Sequence, residues 1–182
     1  GSFVAHPRKA MTQQWHCRFL DDTGTGFLPI FPKVLFKASE NEYGPWSSFL
    51  DQTGGNIIRI DRRISINHEF NVYSKFYTNA DKFGSVLDKP LSELESANLK
   101  LLLMKKFNLP ITILTQNLRI VEFPADISKE IGIKRGTIGL HIDAVASAGR
   151  SVHLYYQEWF IPPNTRTLRI LENSVICDNF DK

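Results

Sequence analysis

The residue best placed to do chemistry is an arginine. Arg62 follows Ile60 by two positions in "IIRIDRRISI", so it shares that apolar residue's side of an extended strand. A guanidinium on an inward-facing strand position needs an anionic partner, because an unpaired buried charge is costly. The partner is either an internal carboxylate, with Asp143 and Glu158 the candidates, or an acidic ligand. Ser74 lies between Tyr73 and Phe76, and Gln157 and Glu158 lie between Tyr156 and Trp159, polar residues set inside aromatic runs. Such a mixture suits the wall of a pocket for a small polar metabolite, and equally a half-buried strand with one wet face. Asp61 and Asp143 each follow an isoleucine at corresponding places in the chain. They could form a carboxylate pair, but structural charges are the favoured reading.

Other chemistries lack their residues. His6, His16, His68, His141 and His153 form no HExxH, and Cys17 and Cys177 form no CxxC, so no metal is expected. There is no G-x-S-x-G elbow and no P-loop, and the Gly24-x-Gly26 pair runs into Pro29 where a dinucleotide fingerprint would begin a helix. No cofactor is implied. The net charge of +3 comes from cations spread along the chain without a basic block, too little for a nucleic-acid face. No stretch reaches ~18 consecutive apolar residues, and no signal-peptide core opens the chain. The two cysteines lie near opposite ends, which points to a reduced, cytoplasmic setting. At 182 residues, 42% of them apolar, one sizeable domain is expected.

These residues are positioned by an internal repeat. Pro45 to Tyr77 and Pro124 to Phe160 read alike: a proline at a helix start, a short helix closed by Gly54 or Gly132, and a strand running into Ile-Asp. A turn follows at Asn67-His68 or Ala148-Gly149, then a second strand, "VYSKFY" or "YYQEWF". An extended segment precedes each proline, Val34 to Ser39 and Thr112 to Val121, so the unit is β-α-β-β, used twice. Between the copies the leucine spacing predicts one long helix over Leu91–Phe107, with Leu91, Leu94, Leu99, Leu102 and Leu103 on its buried stripe, ended by Asn108 and Pro110. A last strand is expected at Thr167–Leu171. The elements give an α+β fold, an antiparallel sheet with helices packed on it.

In order and spacing, "ADISKEIGIKRGTIGLHIDAVASAGRSVHLYYQEWF", "IIRIDRR" and "NLKLLLMKKFNLPI" resemble the C-terminal effector-binding UTRA domain of GntR-type bacterial transcription regulators of the HutC subfamily. The resemblance runs from about Phe27 to Leu171. It implies a chorismate lyase-like fold with a ligand site between sheet and helices, a small effector, and a homodimer. "GSFVA" is similar to the last wing strand of the winged helix-turn-helix of such regulators, so residues 1–5 are read as that strand, 6–26 as linker, 27–174 as the effector domain and 175–182 as a tail. Operator DNA would then be reached only through an N-terminal domain lying upstream. By the resemblance Arg62 matches an arginine that holds an anionic group, Ile64 replaces a second arginine, Ser74 stands where sugar-binding members have Glu, Asn98 falls at a polar contact, and a late tyrosine position falls near Trp159. With one guanidinium the effector is expected to bear a carboxylate, lined by Arg62, Ser74, Asn98, Tyr156, Gln157 and Trp159. The competing readings are a chorismate-lyase-like enzyme, for which no acid–base pair is evident on the hairpin strands, and a dimerisation module without ligand.

Overall fold

The two repeat units each fold into three strands, and the units merge edge to edge into one antiparallel sheet. The computed structural model describes residues 17–40, 42–50, 56–86, 88–108, 111–149 and 152–170. After a short strand β1 (Cys17–Phe19), the first unit supplies β2 (Ile30–Glu40), β3 (Ile57–Ile66) and β4 (Phe70–Asn79). A connecting stretch carries α1 (Ala80–Phe83), a 3-10 turn at Gly84–Val86, α2 (Leu91–Ser96) and α3 (Leu99–Phe107). The second unit supplies β5 (Ile113–Glu122), α4 (Ala125–Ile131), β6 (Ile138–Ala148) and β7 (Val152–Ile161), and β8 (Leu168–Ile170) follows. The sheet order is β2-β3-β4-β7-β6-β5. The last strands of the two units therefore meet at the centre, with Lys75 opposite Glu158.

The α+β class and antiparallel sheet expected from the sequence are present. The first hairpin turns at Asn67 and His68, both at positive φ (48° and 60°), a conformation that asparagine tolerates and that matches strand twist. Gly132 ends α4 at φ 76°, with its N–H bonded back to Lys129 O and Ser128 O. Asn108 ends α3 in the same left-handed conformation.

Three expectations are corrected. The helix over Leu91–Phe107 is two helices, because Ala97 is extended and Asn98 opens α3 by accepting a hydrogen bond from Leu101 N. The break turns Leu91 out of the stripe, and it is 49% exposed while Leu94, Leu99 and Leu103 are buried. The first unit has turns over 45–49 in place of a helix among the described residues, with Trp46 and Leu50 still inserted beneath Tyr77 and Tyr156. Gly54 lies outside those residues, as do Pro110 and Leu171. Of the stretch read as linker, residues 6–16 lie outside the described residues, and Cys17–Phe19 form β1, paired with β8 in a separate ribbon.

The core lies on both faces of the sheet. On one, α2 and α3 cover Ile58, Ile60 and Phe76, and the β1–β8 ribbon covers Ile64, Ile66, Val72 and Trp159. On the other, α4 covers Tyr73, Phe123 and Phe160, while Trp46 stacks on Tyr77 at 4.0 Å between ring centroids. Gly139 of β6 lets α4's end of the sheet close. A Cβ there would sit 2.7 Å from the Ile161 carbonyl oxygen and 2.5 Å from Phe123 Cζ, and the carbonyl cannot turn away without breaking the ladder. Gly139→Ala is therefore expected to destabilise the fold by ~1–3 kcal/mol, the range for overpacking, read as a lower urea midpoint at unchanged slope. Among the described residues no helix is long and apolar enough to cross a membrane.

Candidate functional site

Strand register brings most of the candidate residues together. Arg62 on β3 pairs with Val34 on one side and Ser74 on the other. Ser74 on β4 in turn pairs with Trp159 of β7, and Phe76 with Gln157. Residues directly opposite share a face, so Arg62, Ser74 and Trp159 form a row across the sheet, and Gln157 adjoins it on the same face, one pair further along. The row runs between the apolar cluster under α2 and α3 and the cluster under the β1–β8 ribbon.

Every member of that row is buried. Gln157 Nε2 donates to Ser74 Oγ at 2.8 Å, linking corresponding positions of the two repeat units. Arg62 is 2% exposed, and its Nη1 donates at 3.0 Å to the carbonyl oxygen of Ala97, the extended residue between α2 and α3. Burial pushes the guanidinium down to about 9, so it stays charged at neutral pH. The helix break is thus seated on the arginine. Asn98 lies at the same break, buried, with Oδ1 engaged as the cap of α3 at 3.4 Å from Leu101 N. Trp159 packs among Ile64, Val72 and Ile142.

Tyr156 does not join them. It occupies the opposite face with Trp46, Tyr77 and Val145, because neighbouring positions of a strand point to opposite sides. The carboxylates considered as internal partners of Arg62 are on that far face too. Asp143 accepts from Asn117 Nδ2 at 2.7 Å and Arg119 Nη2 at 2.8 Å. Glu158 Oε1 lies 3.0 Å from His141 Nε2. Asp61 accepts from Arg59 Nε at 2.8 Å, Arg59 Nη2 at 2.6 Å and the Tyr73 hydroxyl at 2.7 Å. Asp61 and Asp143 are structural charges, each matched to an arginine, and Asp61 holds the Arg59 guanidinium well above its ordinary value.

Arg18 was not singled out by the sequence. It is buried on β1, donates from Nη2 to Leu28 O at 3.1 Å, and its guanidinium carbon lies 5.0 Å from the Phe27 ring centroid. With Trp159, Ile64 and Val72 it lines a void of about 20 Å³ at the ribbon end of the row, room for about one water. A larger groove of about 330 Å³ opens beside Ile120, Ile138 and Pro163 and includes none of the row. Its one arginine, Arg166, is bonded to Glu69 at 2.6 and 2.7 Å and to Asp22.

A buried arginine bonded to a helix break and a buried serine–glutamine pair lie on one face of an antiparallel sheet in an α+β domain. The UTRA domain family matches residues 48–165, and the chain belongs to it. It is a ligand-binding regulatory domain. The fold is similar to that of the ligand-binding domain of a GntR-family transcriptional regulator from Bordetella bronchiseptica, at 16% identity and TM-score 0.72, covering 87% of this chain and 98% of that one. It is also similar to the effector domain of PhnF from Mycobacterium smegmatis (9% identity, TM-score 0.65, 74% and 82% covered). The C-terminal domain of the histidine utilization repressor from Pseudomonas syringae pv. tomato shares the fold as well (16%, 0.60, 73% and 91%). No curated protein matches the chain in sequence.

Proposed function

We propose that this domain senses a small acidic effector at the Arg62–Ser74–Gln157 row, with Asn98 and Trp159 at its borders, and transmits the event to operator DNA through a winged helix-turn-helix that precedes it in the full protein. The observation that carries the reading is a fully buried guanidinium on the sheet face, bonded to the carbonyl of a helix break. The void beside the row is too small for a metabolite, so an effector enters by lifting the Ala97 segment and taking its place on Arg62. A charged carboxylate forms a stronger, bidentate bond with the guanidinium than a neutral carbonyl does. Ligand binding is thereby tied to a shift of α2 and α3, the movable element that an effector domain needs.

The same reading makes the chain a non-enzyme working in the cytoplasm. The strand positions that flank Arg62 on its face, Val34, Ile60, Ile64 and Ser74, carry no carboxylate, and the one acid bonded there, Glu95 of α2, accepts from Val34 N at 3.3 Å. The effector domain includes β1 (Cys17–Phe19), which pairs with β8, and so begins ahead of residue 27. A homodimer is proposed, since two-fold operators call for two copies. Sedimentation at micromolar concentration is expected to give a dimer, and a monomer alone would count against this part of the reading. The function itself is tested by a thermal-shift screen of carboxylates and sugar phosphates, followed by operator gel shifts of the full regulator with each hit. Stabilisation by an acidic compound that also changes operator retention supports it. Turnover of chorismate would replace it with the enzyme reading.

A further inference from the structure

The six-stranded sheet has two outer edges, and the chain treats them differently. β2 carries the protections of an edge strand: Pro32, which cannot donate to a neighbour, a break in register between Val34 and Phe36, and the cations Lys33 and Lys37. α2 also reaches over it, where Glu95 accepts from Val34 N at 3.3 Å. β5 has none of these. "ILTQNLRIVE" holds no proline, glycine or lysine, and its register with β6 runs unbroken from Ile113 to Glu122. Among the described residues no other strand pairs with it.

Its backbone lies open in a regular way. Phe123 N donates to Thr137 O at 3.0 Å, one step beyond the pair Glu122–Ile138. In an antiparallel ladder, residues bonded to the neighbour alternate with residues that point away from it. The odd-numbered residues of β5 therefore bond to β6, and Leu114, Gln116, Leu118 and Ile120 direct their N–H and C=O groups outward. The side chains beside this row are apolar. Ile120 is 71% exposed, Leu118 and Ile113 are exposed as well, and Ile138 of β6 adjoins them. The groove beside Ile120 and Ile138 continues the patch.

The strand is also complementary to itself. An antiparallel copy with Asn117 opposite Asn117 sets Ile120 against Leu114 and Val121 against Ile113. It places Leu118 by Gln116 and Arg119 by Thr115, and it brings outward-pointing residues face to face, as the hydrogen bonds require. Neighbouring registers are worse: one sets Ile113 against Arg119, another Leu114 against Glu122, and a third Arg119 against itself.

We propose that β5 is the surface on which two copies of this chain associate, paired antiparallel about a two-fold axis at Asn117, so that their sheets join into one. This rests on the homodimer reading above and gives it a place and a register. The contact is isologous, covers the apolar patch and satisfies the open edge together. The row that begins at Arg62 continues through Trp159 and Ile142 to Leu118, so the surface stands at the end of the proposed effector row.

The test combines sedimentation velocity with oxidative cross-linking of this chain. The wild type is expected to be a dimer at micromolar concentration. Ile120→Lys, at an exposed side chain, is expected to keep its circular dichroism spectrum and to weaken the dimer by roughly 100-fold or more, because a lysine then meets Leu114 at both ends of the contact. Asn117→Cys, with Cys17→Ser and Cys177→Ser to remove the native thiols, is expected to give a disulfide-linked dimer under oxidised glutathione. Asn117 faces its copy in a non-hydrogen-bonded pair, with Cα atoms ~4.5 Å apart, within disulfide reach. Asp143 keeps its bond to Arg119 in that variant. Thr115→Cys in the same background is expected to stay unlinked, since Thr115 faces Arg119. A dimer that survives Ile120→Lys, or an Asn117→Cys chain that stays unlinked, would overturn this surface and leave the homodimer reading in place. A wild-type monomer would overturn both.

Discussion

Asp61→Ala is expected to destabilise the fold by ~3 kcal/mol, the cost of removing one partner from a buried ion pair. Asp61 is 1% exposed and accepts three hydrogen bonds, two from Arg59 and one from the Tyr73 hydroxyl. Alanine leaves a phenol 6% exposed and a guanidinium without its main anion. Glu40, at 3.4 Å from Arg59 Nη1, is a weak substitute, though the Arg59 side chain is 23% exposed and can draw some relief from water. That partial exposure sets the figure at the lower end of the range for buried pairs. Asp61→Asn keeps an acceptor for Tyr73 and should lose less. Because Asp61 faces away from the Arg62 row, effector affinity per folded molecule should not change. Urea titration checks the stability and calorimetry the affinity. A loss below ~1 kcal/mol would show that the network adds little beyond a surface pair.

The sequence carried the strands better than the helices, for a physical reason. A strand's face is set by parity alone, so "IIRIDRR" already places Arg62 with Ile60 and opposite in sense to Asp61. The same parity separates Tyr156 from Gln157. Grouping them as pocket residues by adjacency ignored it, and the structure puts Tyr156 behind the sheet. The break in the middle helix had one signal, Asn98 ahead of a leucine run, without the glycine or proline that usually marks a boundary. Lys100, which is buried, is the more instructive omission. Within "NLKLLLM" it looks like a solvent-facing charge, and only once Asn98 is fixed as the cap does its angle fall inside the buried arc. The pairing of β1 with β8 was beyond reach, because a three-residue strand matched to a partner about 150 positions away leaves no local pattern.

Replacing Arg62 should separate binding from stability. Arg62→Ala is expected to weaken effector binding by ~1.5–3 kcal/mol, the worth of a hydrogen bond to a charged group. Arg62→Lys should recover only part of this, since a point charge cannot match a planar fork against an acidic group. Stability should follow a different order. Alanine removes a large side chain from a site 2% exposed, leaving a cavity beside Ile60 and Ser74 and an unmatched Ala97 carbonyl. Methionine fills most of that volume without a charge, and burial already disfavours the charged guanidinium, which it pushes down to about 9. Arg62→Met should therefore melt above Arg62→Ala, though it too leaves the Ala97 carbonyl unmatched, while binding no better than alanine. Were Arg62→Met to bind the effector normally and melt lower, the arginine would be a support for the helix break, and the site would have to be sought elsewhere on the sheet.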